Sequence, residues 1–393
     1  MEKHQQTIIN RIDELADELL EVSHAIHANP ELAFNEHFAS KLLADTATRL
    51  DVPVTAGCYD LPTAFEAHLA GTEPGPTVAI LAEYDALPGI GHACGHNLIA
   101  TAALGAVLGL RSVMDTLPGT VRFLGTPAEE KGGGKELMAR RGAFKGVDAA
   151  MMIHPAGVNL TTMPCICMAE VEVVYHGRSA HAAAMPHKGK NALDGLLLAY
   201  QAISNLRQHI RDHERVHGII KEGGTAPNIV PDRASGDFYV RTADEADLAK
   251  LKPRVEACFQ AGATGSGCEV EIKWAEVDYL DLNTNWPLAN AFQDHGEALG
   301  REFLPARALG GAGSTDMGNV SHRVPSIHPM LACAPRNVVI HNPEFTRWAG
   351  SESGDQAALD GAKALSLTAA QFLLDPELQA ETAKAFAVSK GLT

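Results

Sequence analysis

The amino-acid sequence predicts an α/β fold: a mostly parallel-sheet domain with helices on both faces, interrupted by a smaller α+β domain. Three observations carry this. Short apolar runs alternate with helical patterns in the first part of the chain, as in parallel sheets. The middle switches to alternating apolar and polar residues, the mark of half-exposed antiparallel strands, and the last part returns to the first style. At 393 residues the chain also exceeds what one core usually covers, so two domains are expected.

Taken in order, residues 8–20 and 38–50 have helical periodicity. Thr77–Ala82 (TVAILA) is a short apolar strand running into the loop EYDALPGIGHACGHN. Residues 97–114 form a long apolar helix, with Asn97 as its N-cap. Thr120–Gly125 is a second strand, ending in TPAEEKGGG, and Val147–Ile153 a third, ending in HPAG. Glu170–His176 alternates as an antiparallel strand does. A helix follows over 191–212, then strands near 217–222 and 234–241, a helix over 243–262 and the strand Glu269–Trp274. These elements form an insert over 167–280, reached by linkers near Met163–Pro164 and Asn283–Pro287; residues 1–166 and 281–393 form the larger domain. An amphipathic helix over 354–374 closes it.

The composition excludes several classes. Acidic residues outnumber basic ones, 48 to 32, for a net charge of −16, and no basic patch offers itself to nucleic acid. No stretch of eighteen uninterrupted apolar residues exists to span a membrane. The polar amino terminus lacks the apolar core of a signal peptide. Seven scattered cysteines (Cys58, Cys94, Cys165, Cys167, Cys258, Cys268 and Cys333) then read as reduced thiols in the cytoplasm, six of them as small buried apolar residues.

Four features carry chemistry. Cys94 and His96, two apart in a Gly-rich loop after a strand, can face one point; thiolate and imidazole together suit zinc and tolerate other first-row metals. His92 beside them reads as a packing or orienting residue. Glu129-Glu130 follows a strand and precedes three glycines, which permits a division of labour: one carboxylate binds metal, the other takes a proton from an attacking water. His154 follows an apolar strand, and His341 follows the strand-like Val338–Ile340. Each alone has a structural reading, as a loop thiol, a solvated carboxylate pair or a core imidazole. Together they differ, because the carboxyl ends of parallel strands meet on one rim. Five ligands are too many for one open catalytic zinc; they suit two ions sharing a bridge, about 3.5–4 Å apart.

The stretches LAEYDALPGIGHACGHN, TPAEE, GRSAHAA, NIVPDRA, STDMGNVSH and HNPEF, with His154, resemble the di-metal aminoacylase and carboxypeptidase family. The nearest branch is the amidohydrolase one, in particular aminoacylase-1-like β-alanyl dipeptidases and p-aminobenzoyl-glutamate hydrolase subunits. The resemblance runs over residues 20–375 with the motifs in order. It implies two divalent ions, Mn2+ or Zn2+, with Cys94 as bridge, Glu130 and His341 completing one site and His96 and His154 the other. It implies Glu129 as general base, Asp85 orienting a ligand, and a lid that also makes a homodimer. His181 would reach into the partner's site to stabilise the oxyanion, and Asn228 and Arg241 would hold polar groups of the substrate. Without the family, His181 reads as a surface loop residue, Asn228 as a turn former and Arg241 as a surface strand residue. Many members of the branch have Asp where this chain has Asn97, and an acidic or His residue pair where it has Glu83; Asn97 is neutral, so the charge near the metals changes. Gly310-Gly311-Ala312-Gly313 could let a substrate carboxylate approach backbone amides, or be a plain loop.

The expected activity is hydrolysis of an amide bond in an N-acyl amino acid or dipeptide, releasing a free amino acid, by a water that two metals activate and Glu129 deprotonates. Alternatives are a p-aminobenzoyl-glutamate-type hydrolase and a non-catalytic metal or small-molecule binder on the same scaffold. A serine hydrolase is disfavoured by the lack of a G-x-S-x-G elbow.

Overall fold

The computed structural model describes residues 2–305 and 313–392. They divide into two units, Met1–Pro164 with Leu282–Thr393, and Cys165–Asp281.

In the first unit the apolar runs become strands of a six-stranded sheet. Their spatial order is Val54–Ala56, Phe65–Ala70, Thr120–Gly125, Thr77–Ala82, Ala149–Met151, Ser326–Ile327. The last four are mutually parallel, with Thr77 opposite Thr120, Val78 opposite Ala149 and Ser326 opposite Ala150; the first two add an antiparallel edge. Thr77–Ala82 and Thr120–Gly125 have the bounds the sequence predicts, and each is buried beyond its first residue, as a strand covered on both faces must be.

The helix His96–Arg111 lies against this sheet and is buried at every position except Arg111. Glycine lets its neighbours approach: a Cβ at Gly105 would come within 2.8 Å of Ala362 Cβ, and one at Gly109 within 2.9 Å of Ile12 Cδ1. The helix Glu352–Leu374 and the amino-terminal helices pack there, sharing one core with Ile8, Ile12, Leu19, Leu104, Val107 and Leu365. Each fully buried Leu or Ile of this core contributes about 1.5–3 kcal/mol.

Several expectations are corrected. Residues 8–20 are not one helix: Glu2–Glu14 and Ala16–Ala28 meet at Leu15, where φ/ψ of −95°/3° leaves the helical region. Asn97 is not an N-cap. Gly95 occupies that place at φ 77°, and Asn97, buried in the first turn, donates Nδ2–H to Ser23 Oγ and Ala349 O. The third strand is shorter than expected and ends at Met151. His154 opens a separate short strand, His154–Ala156, of a second sheet, parallel to Met330–Ala332. Val338–Ile340 is not a strand; it leads into a turn before the helix Pro343–Ala349.

In the second unit, Cys167–His176, Arg215–Glu222, Arg233–Thr242 and Glu269–Trp274 form an antiparallel four-stranded sheet. The helices Ala192–Leu206 and Glu245–Ser266 pack on it around Val171, Phe238, Leu251 and Phe259. All seven cysteines are free, and among the described residues no helix is long and apolar enough to cross a membrane.

Candidate metal centre

Four parallel strands end on one rim, and each runs into chemistry. After Ala82 comes Glu83-Tyr84-Asp85, then the loop to Cys94 and His96. Gly95 between those two is left-handed, and a Cβ there would come within 2.5 Å of Pro155 Cγ, so the turn that presents both candidate ligands excludes a side chain. After Gly125, Thr126 donates both its amide N–H (2.7 Å) and its hydroxyl (2.8 Å) to Ala82 O, so the two central strands leave the sheet together. Ala128 then turns at φ 61° and presents Glu129 and Glu130. After Met151 comes His154, and after Ile327 comes His328. His341 arrives from outside the sheet, at φ 61°, its amide N–H held by Ala93 O at 2.8 Å.

Cys94 is the common point. Its Sγ lies 3.4 Å from His154 Nε2 and 3.4 Å from His341 Nε2. His341 Nε2 is 3.4 Å from Glu130 Oε2, and His96 Nε2 is 3.8 Å from Glu130 Oε1. Two groups of potential ligands, Cys94–His96–His154 and Cys94–Glu130–His341, each have donor atoms within 4.8 Å of one another, and they share the sulfur. Five residues named from strand ends, one sulfur, three imidazoles and one carboxylate, thus converge. Glu129 joins them, its Oε2 3.9 Å from His96 Nε2.

Neighbouring groups fix the ring nitrogens. A carboxylate cannot donate, so His96 donates Nδ1–H to Asp85 Oδ1 (3.1 Å), and His154 donates Nδ1–H to Pro155 O (2.8 Å). Each Nε2 then carries a lone pair facing the cluster. Asp85 does two jobs, since its Oδ2 accepts the Glu130 amide N–H at 2.9 Å. His92 is a packing residue; it donates Nε2–H to Ile26 O and stacks on His27.

The donor set fits a pair of divalent cations. His96 Nε2, Glu130 Oε1 and Glu83 Oε1 are buried without hydrogen-bond partners, a costly arrangement unless an ion meets them. Burial opposes charge on His96, but Glu83 and then Cys94 outweigh it and raise its affinity for a proton well above the imidazole norm; this place attracts positive charge. Burial, followed by His328, pushes His154 down to about 3, which keeps it the neutral imidazole that metals bind. Burial, then Glu83 and Glu130, holds Glu129 well above the usual carboxylate value.

The sequence reading missed three features. Lys135, fully buried, donates to Glu83 Oε2 (2.6 Å) and Asp316 Oδ1 (2.8 Å); burial works against the Glu83 charge, yet Lys135 and then His96 hold it down at about 2. His328 stands edge-on to His154, ring centroids 5.5 Å apart, and donates Nδ1–H to Met152 O. Glu36 lies under the Glu129 turn. His328 was findable, since it follows the short strand Ser326–Ile327 as His154 follows its own apolar run.

In the second unit, His181 is exposed, and its Nδ1 accepts the amide N–H groups of Ala183 and Ala184 at 3.3 and 3.2 Å, so in the neutral ring Nε2 carries the proton. Asn228, also exposed, sits beside it through the bond from Ala182 N–H to Asn228 O at 3.0 Å. Arg241, half-buried, lies over the Tyr239 ring at the far end of the strand Arg233–Thr242. That is eight residues, or roughly 26 Å, from the end near His181 and Asn228. Gly310, Gly311 and Ala312 lie outside the described residues; Gly313 donates its amide N–H to Pro164 O.

Comparison with known proteins bears on this geometry. Residues 79–366 match the model of peptidase family M20/M25/M40. The chain is 42% identical over 386 residues to a Homo sapiens protein named Xaa-Arg dipeptidase, covering 93% of this chain and 88% of the relative. It is 32% identical over 287 residues to one of the subunits of the Escherichia coli p-aminobenzoyl-glutamate hydrolase, covering 67% of this chain and 59% of the relative. A Bacillus subtilis crystal structure, described as a dinuclear metal-binding peptidase of the M20 family, superposes with a TM-score of 0.69 at 22% identity over 91% of this chain and 99% of that one.

Proposed function

The chain belongs to peptidase family M20/M25/M40 and is a metallo-dipeptidase or amidohydrolase, and on that premise we propose that it cleaves the amide bond of a dipeptide or N-acyl amino acid, with Glu129 as the general base. The observation that carries this reading is the single sulfur of Cys94 standing 3.4 Å from the imidazoles of both His154 and His341, with Glu129 beside His96.

Cys94 would bridge the two ions; Glu130 and His341 would complete one site, His96 and His154 the other. Bound there, Zn2+ or Mn2+ supplies Lewis acidity for the carbonyl and for water. Glu129 takes the proton of the attacking water on its carboxylate and returns it to the leaving nitrogen. Asp85 keeps His96 turned toward the centre and fixes the Glu130 backbone. His181 donates Nε2–H to the oxyanion, and Asn228 and Arg241 hold the polar groups of the product amino acid. A dipeptide extends roughly 7 Å, far less than the roughly 26 Å of strand between Arg241 and the strand end near His181 and Asn228. One protomer cannot therefore apply all three to one substrate, and this supports a homodimer in which His181 serves the partner's centre. Free thiols suit a reducing compartment, the cytoplasm.

The human relative's name makes dipeptides with a C-terminal arginine the first substrates to test. A second reading, hydrolysis of p-aminobenzoyl-glutamate, rests on the Escherichia coli relative. Release of free amino acid from a panel of both kinds, with and without a chelator, separates them; the expected result is chelator-sensitive release from the basic dipeptides. Glu129→Gln should keep two ions per chain by elemental analysis and lose at least about 100-fold in kcat. Unchanged turnover in that variant refutes the assigned base.

A further inference from the structure

We propose that Glu36 is a positioning residue for the metal centre: its buried carboxylate holds Ala128 in the left-handed conformation that aims Glu129 and Glu130.

Glu36 is fully buried and lies 92 positions from Ala128 in sequence. Its Oε1 accepts the amide N–H of Ala128 at 2.8 Å and that of Phe34 at 2.9 Å; its Oε2 accepts the Thr63 hydroxyl at 2.9 Å. A carboxylate suits this place because three donors converge on it. Ala128 needs the restraint. Its φ of 61° is one that L side chains other than Asn and Asp rarely adopt. Its carbonyl is fixed from the other side by the amide N–H groups of Gly133 (3.0 Å) and Gly134 (3.3 Å). Phe34, itself at φ 63°, covers the same turn: a Cβ on Gly132 would come within 2.4 Å of its Cε2. The segment 34–36 is thus a template for the turn 128–134.

The consequence lies one residue on. If Ala128 relaxes to negative φ, the following peptide re-aims, and Glu129 and Glu130 no longer face His96 and Cys94. Glu36 touches neither the ligand atoms nor a substrate in this arrangement; it acts through the backbone of Ala128. The inference rests on the proposed function for its kinetic consequence but not for its metal-binding one.

Three variants of the full-length protein test it: Glu36→Ala, Glu36→Gln and the double variant Glu36→Ala/Ala128→Gly. Glycine adopts the left-handed conformation freely, so it should replace the clamp. Glutamine still accepts both amides on Oε1 and can donate to the Thr63 hydroxyl, so Glu36→Gln should stay within about 3-fold of wild type. Glu36→Ala should lose about 100-fold in kcat with KM little changed, because misplacement by about 1 Å costs that much. Calorimetric titration of the metal-stripped protein with Zn2+ should show affinity weakened about 10–100-fold. The double variant should recover at least about 10-fold of both losses. A residue needed only for stability would lower the melting temperature without being repaired by glycine at 128. If Glu36→Ala does not fold, Glu36→Met, which fills the space and accepts nothing, replaces it. Unchanged kcat and Zn2+ affinity, a loss confined to KM, or no recovery in the double variant overturns the proposal. If the wild type hydrolyses no substrate in the panel, the functional reading fails, and the Zn2+ titration alone decides for or against Glu36.

Discussion

Replacing Lys135 with methionine removes the cation that the fold places between Glu83 and Asp316. Lys135 is fully buried, with Nζ 2.6 Å from Glu83 Oε2 and 2.8 Å from Asp316 Oδ1. The two carboxylates are not left equal. Glu83 keeps the electrostatic support of His96, whose Nε2 lies 3.2 Å from its Oε1 without a hydrogen bond. Asp316 keeps the Lys135 backbone N–H on Oδ2, and burial already pushes it up to about 6 with the ammonium in place. In the variant Asp316 must fold protonated. Its folded value then stands above the unfolded 3.8, so stability is intact below that pH and is lost as pH rises. With the ammonium in place the carboxyl already folds near 6, so the further loss is about 1.36 × (7 − 6), or about 1.4 kcal/mol at pH 7, and it falls toward zero at pH 5.5. The assay is urea unfolding of metal-stripped protein at the two pH values, followed by circular dichroism, so that ion binding does not contribute. Adding Asp316→Asn should recover most of the loss, because no carboxyl then remains to be neutralised. A loss under about 1 kcal/mol at pH 7, or one that does not shrink at pH 5.5, refutes the assignment of Lys135 as the necessary counter-ion.

Three further outcomes follow from the centre itself. Cys94→Ala removes the atom common to both ligand groups and should leave fewer than two ions per chain by elemental mass spectrometry; retention of both contradicts the bridge. Gly95→Ala forces a Cβ to φ 77° and to within 2.5 Å of Pro155 Cγ, so it should cost more than the roughly 1–2 kcal/mol of left-handed strain alone, read as a lowered melting temperature. An unchanged melting temperature would show that the turn is not constrained as described. Asp85→Asn keeps the shape but must turn an N–H against either His96 Nδ1–H or the Glu130 amide, and should weaken Zn2+ binding about 10–100-fold while the fold survives. Equal affinity in that variant would remove Asp85 from the support of the centre.

Legibility in the sequence tracked how local each feature is. The strands Thr77–Ala82 and Thr120–Gly125 are apolar along most of their length, and residues with such a run have few other places to go. The break at Leu15 was invisible, because apolar periodicity continues through Glu2–Glu14 and Ala16–Ala28 while only the backbone angles change. Asn97 misled for a related reason. Asn caps helices well in general, but here the helix must start one residue earlier, so that His96 can meet Asp85, and only glycine tolerates the turn required at 95. The edge strands Val54–Ala56 and Phe65–Ala70 pair antiparallel across a turn that includes Tyr59 and Asp60 at positive φ, a conformation the Tyr59 side chain does not advertise.

The clustering was legible to the extent that the proposed ligands are residue types with few innocent reasons to sit at a strand end. That logic put His154 in the cluster although its strand belongs to a different sheet, and His341 although no strand precedes it; the chemistry of the residue was a better guide to its position than the element assigned to it. Support residues fail the same test. Glu36 is one acidic residue among 48 acidic ones and lies in a loop between two helices, and nothing local says that its carboxylate closes on Ala128. Lys135 ends a Gly-rich run and reads as a solvated surface lysine, yet it is completely enclosed. A ligand announces itself by what it can bind, whereas a positioning residue is defined only by where another residue must point. That direction is a property of the folded backbone, here of a single left-handed alanine, and it cannot be read until the strand ends have been brought together.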